Sequence, residues 1–193
     1  MSTKVSKSID EQINLALKML KNDGVILYPT ETVWGLGCLA SSAKGINKIK
    51  EIKNRNESQS FIGLIDSEKS LYKYISYIPE IAFEIIRKSS HQKTIIYQNS
   101  KKIISNIANK NNEVALRITN LPYLQKLTSL IDSPLISTSA NLSGQTTPDH
   151  FSKIDKEIKD KVDMILDIDV QSTNKPSSII KINSKGEIKE IRK

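Results

Sequence analysis

The chain has 193 residues, of which 38% are hydrophobic and 26% charged, and its formal net charge is +8. This size and composition fit one globular domain, and no apolar run approaches the roughly 20 residues that cross a membrane. Cys38 is the single cysteine, which excludes an intrachain disulfide. With only two histidines besides, a transition-metal centre built by the protein is not expected.

Capping and hydrophobic periodicity define the first predicted elements. Ser8 and Glu11 form a capping-box pattern before an apolar stripe, so we predict a helix over residues 9–22. The apolar run VILY (25–28) predicts a buried strand, which Pro29 ends because proline lacks an amide hydrogen. The next predicted elements are a helix over 42–53 and a strand over 61–65.

The same alternation continues to the end of the chain. We predict helices over residues 71–88 (one or two, with Pro79 starting the second), 101–108, 121–131 and 151–161. We predict strands over residues 93–98, 113–118, 134–138, 162–169, 177–182 and 187–191. The alternation indicates an α/β fold, and the closely spaced terminal strands indicate a mixed sheet with antiparallel pairs. No repeat or linker interrupts the pattern, so we expect residues 1–193 to form one domain.

The positive charge comes mostly from lysine. A basic surface attracts polyanions such as RNA. However, 25 of the 29 basic residues are lysines, as a biased codon supply would produce, so the charge alone does not decide whether the chain has an RNA-binding surface. Each of the four arginines is a candidate for bidentate contact with carboxylate or phosphate: Arg55, Arg87, Arg117 and Arg192. The N-terminus has no apolar segment after its lysines, so we expect a cytoplasmic protein without membrane attachment.

Two polar segments follow predicted strands. Residues 27–38 (LYPTETVWGLGC) and 134–144 (PLISTSANLSG) both place hydroxyl groups where a strand ends. In α/β sheets, ligands bind beyond the carboxyl ends of strands, so we expect the two segments to face each other across one cleft if their strands are neighbours. The hydroxyl and amide groups suit phosphate or carboxylate oxygens, while the alternative is that they cap the next helix and close turns.

The sequence favours chemistry by positioning and electrostatics. Neither a Walker loop nor a dinucleotide fingerprint occurs, and Cys38 has no histidine near it in sequence to activate it. Lys53 and Arg55 follow a predicted helix, where they either neutralise a polyphosphate or form a solvated helix end. Arg117 ends an apolar strand and is costly to bury without an anionic partner.

Several stretches together resemble the YrdC (TsaC) family, the threonylcarbamoyl-AMP synthases of transfer-RNA modification. These are YPTETVWGLGC, IKNR, VALRIT and PLISTSANLSG, in this order, with KPSSII resembling the later serine-containing motif. The resemblance covers essentially the whole chain. It implies the short form, a single YrdC-like domain over 1–193 with a twisted mixed β-sheet, flanking helices and a central cleft.

The resemblance implies a nucleotidyltransferase. Its substrates are L-threonine, bicarbonate and ATP, which carries Mg²⁺, and its products are threonylcarbamoyl-AMP and pyrophosphate. A downstream tRNA threonylcarbamoyl-transferase uses the adenylate for the N6-threonylcarbamoyladenosine modification at position 37 of tRNA. Direct contact with tRNA is left open, as is the side chain, if any, that removes a proton from threonine, and no protein metal site is expected.

Roles for single residues also follow from the resemblance, position by position. Those implied to bind threonine are Thr30, Arg117, Ser137 and Ser177, with Arg117 as the carboxylate fork. Those implied to bind ATP are Lys53, Arg55, Thr94, Ser139 and Asn141.

The chain departs from the family pattern in two places. Asn56 stands where the family has proline after its lysine–x–arginine element. The family's tryptophan–proline–glycine–proline–x–threonine motif is here SSHQKT (89–94), in which only Thr94 matches, so the shape of that wall is not predicted.

Two rival functions compete with the synthase. One is a non-enzymatic RNA-binding module on the same fold, which predicts a continuous basic face and no ATP binding. The other is a carbamoyl-transfer domain like that of hydrogenase-maturation carbamoyltransferases, but those proteins carry acylphosphatase and zinc-finger segments that this chain lacks.

Overall fold

The computed structural model describes residues 7–54 and 61–193. Its α-helices are α1 (Ile9–Lys21), α2 (Ala43–Lys53), α3 (Glu68–Tyr74), α4 (Glu80–Lys88), α5 (Pro122–Ser129) and α6 (Lys156–Lys161). Its strands are β1 (Ile26–Tyr28), β2 (Gly35–Gly37), β3 (Ile62–Ile65), β4 (Lys93–Tyr97), β5 (Val114–Ile118), β6 (Leu135–Ser139), β7 (Met164–Ile165), β8 (Ser178–Ile182) and β9 (Ile188–Arg192). Short 3-10 helices cover Lys102–Ile107 and Phe151–Lys153.

Most predicted elements are present, within a few residues at their ends. The capping box of α1 is confirmed, since Ser8 Oγ accepts from the Glu11 amide at 3.2 Å and the Glu11 carboxylate accepts from the Ser8 amide at 2.7 Å. The helix predicted over 71–88 is two helices, and Pro79 is the cap of the second. The predicted helix over 151–161 is also divided, and only two residues of the strand predicted over 162–169 pair in the sheet.

The sheet is mixed, as predicted, with the strand order β7-β1-β2-β6-β3-β5-β4-β8-β9. The parallel pairs are β1·β7, β3·β5 and β4·β8. The sequence did not predict β2, which pairs antiparallel with β1 on one side and β6 on the other. The polar segment after β1 therefore turns back and joins the sheet itself.

Helices cover both faces of the sheet. Helices α1 and α5 pack against one face, where Leu20 and Leu124 meet Tyr28, Leu64 and Leu135. Helices α2, α3, α4 and α6 pack against the opposite face, in a cluster that includes Leu27, Ile49, Leu71, Ala82 and Ile158. Alternate residues of β1 enter the two clusters because successive side chains of a strand point to opposite faces.

No helix in the described part of the chain is long and apolar enough to span a membrane.

Candidate active site

A cleft of about 350 Å³ lies over the part of the sheet that α1 and α5 leave uncovered. Its floor is one lateral row of paired residues, because Ser137 is opposite Ile62, Ile62 is opposite Ala115, and Ala115 is opposite Ile96. Residues paired in register point to the same face of a sheet. The prediction of a site beyond the strand ends is corrected accordingly: the cleft lies on the sheet face.

The two polar segments form one continuous wall of this cleft. Strand β2 lies between β1 and β6, and its Gly35 pairs with Ser139. A Cβ atom at Gly37 would lie 2.7 Å from the Tyr28 ring and closer still to the carbonyl oxygen of Ile136. Only glycine fits there, so the glycines let β2 pack tightly beside β6. The expectation that the segments face each other is corrected, since they are adjacent in the sheet.

Thr30 organises the turn between β1 and β2. Its Oγ1 donates to Val33 O at 2.7 Å and accepts from the amides of Thr32 and Val33 at 3.0 and 3.2 Å. Thr32 lines the cleft, and its Oγ1 accepts a hydrogen bond from Nη1 of Arg117 at 3.1 Å. Thr32 is therefore the hydroxyl of this segment that stands in the cleft beside the arginine.

Arg117 is a buried cation at the cleft wall. Only 4% of the residue is exposed, and two of its nitrogens, Nε and Nη2, have no hydrogen-bond partner within the described residues. The nearest carboxylate is that of Glu31, at 3.8 Å from Nε. Buried donors without partners are costly, and charged donors form the strongest hydrogen bonds with anions. Arg117 is thus suited to receive an anionic group.

A second arginine, Arg192 of β9, lines the same cleft. Its Nε and Nη2 donate to the carbonyl oxygen of Ser177 at 3.0 and 2.7 Å. Burial, together with the positive charge of Arg117, lowers the pKa of Arg192. Two guanidinium groups that repel each other across a cleft are stabilised when an anion binds between them.

Ser177 and Thr94 form a buried pair of hydroxyls at this end of the cleft. Their side-chain oxygens are 2.8 Å apart, and Thr94 is fully buried while Ser177 lines the cleft. Thr94 therefore lies behind Ser177 and holds its hydroxyl. Its predicted contact with ATP stays a prediction.

Lys53 holds the loop that follows β6. It lines the cleft and is 3% exposed, and its Nζ donates to the carbonyl oxygens of Ser139 and Asn141, the latter at 2.5 Å. The amide of Ser143 returns a hydrogen bond to Lys53 O at 2.9 Å. The alternative of a solvated helix end therefore does not describe Lys53. Arg55 and Asn56 lie outside the described residues.

Asn141 offers an acceptor to the cleft. Its Nδ2 donates to the carbonyl oxygens of Leu142 and Gln145 at 3.0 and 2.8 Å. Its Oδ1 is buried and has no hydrogen-bond partner within the described part of the chain. Ser137 and Ser139 line the same wall. A ligand with hydroxyl or amino donors can satisfy this oxygen.

The remaining candidates of the sequence lie outside the cleft. Exposed Arg87 makes the bidentate contact expected of an arginine, but with half-buried Glu68 of its own chain, at 3.0 and 2.6 Å. Burial raises the pKa of the Cys38 thiol to about 12, so it is a poor nucleophile. No cluster of metal-ligating side chains occurs in residues 7–54 and 61–193.

The structure adds cleft residues that sequence reasoning did not assign. Thr32 belongs to the first polar segment, but it lies in the turn between β1 and β2, where no strand or helix periodicity indicates which threonine faces the cleft. The scarcity of arginine did single out Arg192, although nothing in the sequence indicated that the last strand closes the cleft.

Comparison with known proteins decides the family. The Sua5/YciO/YrdC family model, described as "Telomere recombination", matches residues 18–193. The chain belongs to this family. It is 32% identical, over 87% of its length and 91% of the relative's, to a threonylcarbamoyl-AMP synthase of Psychromonas ingrahamii. It is 31% identical, over 93% and 86% of the two lengths, to a putative threonylcarbamoyl-AMP synthase of Methanocaldococcus jannaschii.

Solved structures share the YrdC-like fold. P. abyssi Sua5 complexed with L-threonine superposes with a TM-score of 0.81 at 24% identity, over 91% of this chain. The chain spans 52% of the length of that protein. E. coli YciO superposes with a TM-score of 0.79 at 21% identity, over 97% of this chain and 91% of its own. The mixed α/β architecture predicted for the chain is therefore confirmed.

Proposed function

We propose that the chain is an L-threonylcarbamoyladenylate synthase, which forms threonylcarbamoyl-AMP and pyrophosphate from L-threonine, bicarbonate and ATP. The observation that carries the proposal is Arg117, a buried guanidinium at a cleft wall with two donors that lack partners. The names of the curated relatives and the threonine complex of P. abyssi Sua5 support it and favour it over the RNA-binding module.

In this proposal Arg117 receives the carboxylate of threonine. Ser137 and Ser177 lie on the cleft wall and supply hydroxyls for the rest of the amino acid, while Thr30 keeps Thr32 beside the arginine. A charged fork binds a carboxylate with fixed geometry, which points the amine of threonine in one direction. The free amine attacks the carbon of bicarbonate, water leaves, and N-carboxy-threonine forms.

ATP occupies the wall formed by β6 and its loop. An oxygen of the N-carboxylate (carbamate) group attacks the α-phosphorus of ATP. The bond from that phosphorus to the bridging oxygen of the β-phosphate breaks, and pyrophosphate leaves with the electron pair. Arg192, and Arg55 outside the described residues, are the cations we assign to the phosphates, with Mg²⁺ entering as part of the ATP substrate. Lys53 holds the backbone of Ser139 and Asn141, which we assign to the nucleotide, whereas buried Thr94 holds the hydroxyl of Ser177.

No protein nucleophile is required by these steps. The cleft positions the three substrates and stabilises the charge that develops on the phosphoryl oxygens, and phosphoryl transfers are usually catalysed in these two ways. A narrow cleft also protects the short-lived carbamate from water. We further propose that the adenylate passes to a tRNA threonylcarbamoyl-transferase.

Isotope labelling tests the proposal. The purified chain is incubated with ATP, L-threonine and ¹³C-bicarbonate, and the products are analysed by mass spectrometry. The proposal predicts threonylcarbamoyl-AMP that carries one ¹³C atom, and none when L-valine replaces L-threonine. A labelled product that lacks AMP contradicts the nucleotidyl-transfer step and favours carbamoyl transfer to another acceptor.

A further inference from the structure

A buried polar cluster lies directly behind Arg117. Glu31 is 5% exposed, and its Oε1 is 3.8 Å from Nε of Arg117. This distance is too long for a hydrogen bond, so Glu31 balances the charge of the guanidinium while its donors stay available. Thr119, fully buried, adds a hydrogen bond from its Oγ1 to Oε2 of Glu31 at 3.4 Å.

Gln92 reaches the same carboxylate from the segment that departs from the family motif. When the amide of Gln92 is oriented to match the donors and acceptors around it, its nitrogen is 3.2 Å from Oε1 of Glu31 and 3.3 Å from the carbonyl oxygen of Ile118, and both of these atoms are acceptors. Its amide oxygen is 3.0 Å from Nδ2 of Asn120. The side chain of Gln92 thus ties Glu31 to the end of β5, the strand that carries Arg117.

The identity of this residue matters chemically. In SSHQKT, Gln92 stands two positions before Thr94, where the motif of the resembling family has proline. A proline side chain cannot donate a hydrogen bond to a carboxylate. The contact between Gln92 and Glu31 is therefore a feature of this chain that the family motif does not provide.

We propose that Glu31 is a positioning residue that aims the guanidinium of Arg117 at the substrate carboxylate, and that Gln92 fixes Glu31 in that role. The buried charge of Glu31 attracts Arg117 and holds it between Thr32 and the carboxylate site. Gln92 restrains the carboxylate of Glu31 and prevents it from closing on Nε. This inference rests on the proposed function, because it assigns the carboxylate of threonine to Arg117.

The test compares Gln92→Met, which keeps the length of the half-buried side chain but removes its hydrogen bonds, with His91→Ala, at the exposed position before it, as the matched control. The readouts are the KM values for L-threonine and for ATP, with calorimetric titration of L-threonine alone. We expect Gln92→Met to raise the threonine KM and Kd three- to tenfold, in the order of the net contribution of one ordinary hydrogen bond because Gln92 acts only through Glu31, while the ATP KM changes less than twofold. The control keeps both constants within twofold of the original chain.

A double-mutant cycle with Glu31→Gln, which keeps shape and removes charge, separates positioning from general stability. Glu31→Gln alone is expected to raise the threonine KM at least tenfold. Because Gln92 acts through Glu31, Gln92→Met is expected to raise the threonine KM by less than a further twofold when Glu31→Gln is already present. Melting temperatures of all variants show whether each is folded.

Three outcomes overturn the inference. They are an unchanged threonine KM and Kd in Gln92→Met, equal losses for threonine and ATP, and fully additive effects of the two substitutions. Failure of the proposed function is a different result, since the original chain then releases no pyrophosphate. In that case the calorimetric comparison still decides whether Gln92 and Glu31 support carboxylate binding at Arg117.

Discussion

Nη1 of Arg117 donates a hydrogen bond to Oγ1 of Thr32 over 3.1 Å, which joins the middle of the sheet to the turn between β1 and β2. Through this bond a cation from β5 and a hydroxyl from the first polar segment meet at one wall of the cleft. Strand β5 and the first polar segment are distant in sequence, and the order of strands in the sheet brings them together. The same contact makes Arg117 the residue whose replacement is most informative.

Arg117→Ala is expected to weaken the use of threonine far more than that of ATP. A lost charge-assisted fork typically costs about 1.5–3 kcal/mol, or roughly a 10- to 150-fold rise in KM. Steady-state kinetics with each substrate varied in turn measures both constants, with exposed Arg87→Ala as the control. Equal losses for threonine and ATP would remove the assignment of Arg117 to the carboxylate.

Lys53→Met is expected to loosen the loop after β6, because the carbonyl oxygens of Ser139 and Asn141 lose a charged donor. We expect the free energy of unfolding to fall by about 1–3 kcal/mol. The KM for ATP rises as well, since this loop carries the proposed nucleotide contacts. Urea denaturation and ATP kinetics measure the two effects. Lys44→Met, at an exposed position of the same helix, serves as the control. Unchanged stability would mean that Lys53 does not hold the loop.

Gly37→Ala is expected to separate β2 from its neighbours. The added Cβ would lie 2.7 Å from the Tyr28 ring and closer to backbone, and overpacking of this kind costs about 1–3 kcal/mol or more. Chemical denaturation gives the loss of stability, and threonine binding is lost with the cleft wall. Gly144→Ala is an instructive comparison, because no atom lies within 4 Å of the added Cβ and only the positive φ of 83° opposes it.

Stability is expected to fall at alkaline pH. Burial raises the pKa of Cys38 from its usual 9.0 to about 12, so between these values the unfolded chain releases a proton that the folded chain retains. The unfolded state is favoured as pH rises, by up to about 1.4 kcal/mol per pH unit for this group. Burial raises the pKa values of Tyr28, Tyr97 and Tyr123 as well, which adds to the loss above pH 10.

Urea denaturation at pH 8, 9 and 10 tests this expectation, with Cys38→Ala as the comparison. The variant lacks the thiol, so its stability should decline less between pH 9 and 10. Parallel curves for the two proteins would show that Cys38 does not contribute. Activity at pH 8 should be retained in Cys38→Ala, because the proposed reaction uses no protein nucleophile.

The sequence predicts elements whose signals are local. The capping box of α1 and the apolar strands β1, β3 and β5 depend on a few consecutive residues, and the structure confirms them. Strand β2 is GLG, which has low strand propensity and forms because two neighbouring strands pair with it. A strand imposed by its neighbours leaves no local signal.

The sequence predicts which residue types form the candidate site, but only part of their arrangement in space. Ser137, Ser139, Asn141, Lys53 and Arg117 all line the cleft, while their roles toward threonine and ATP stay predictions. The position of the cleft on the sheet face follows from the register that aligns Ser137, Ile62, Ala115 and Ile96. Register is a long-range property, so neither this floor nor the contact of Gln92 with Glu31 could be inferred from sequence.

Pyrophosphate release from ATP by the purified chain tests the proposed activity most directly. It is measured with L-threonine and bicarbonate together, with each alone, and with neither. The proposed function predicts release that requires both substrates, and a much reduced rate in Arg117→Ala at low threonine concentration. No release under any condition, with binding of transfer RNA retained, would contradict the synthase and favour the RNA-binding module.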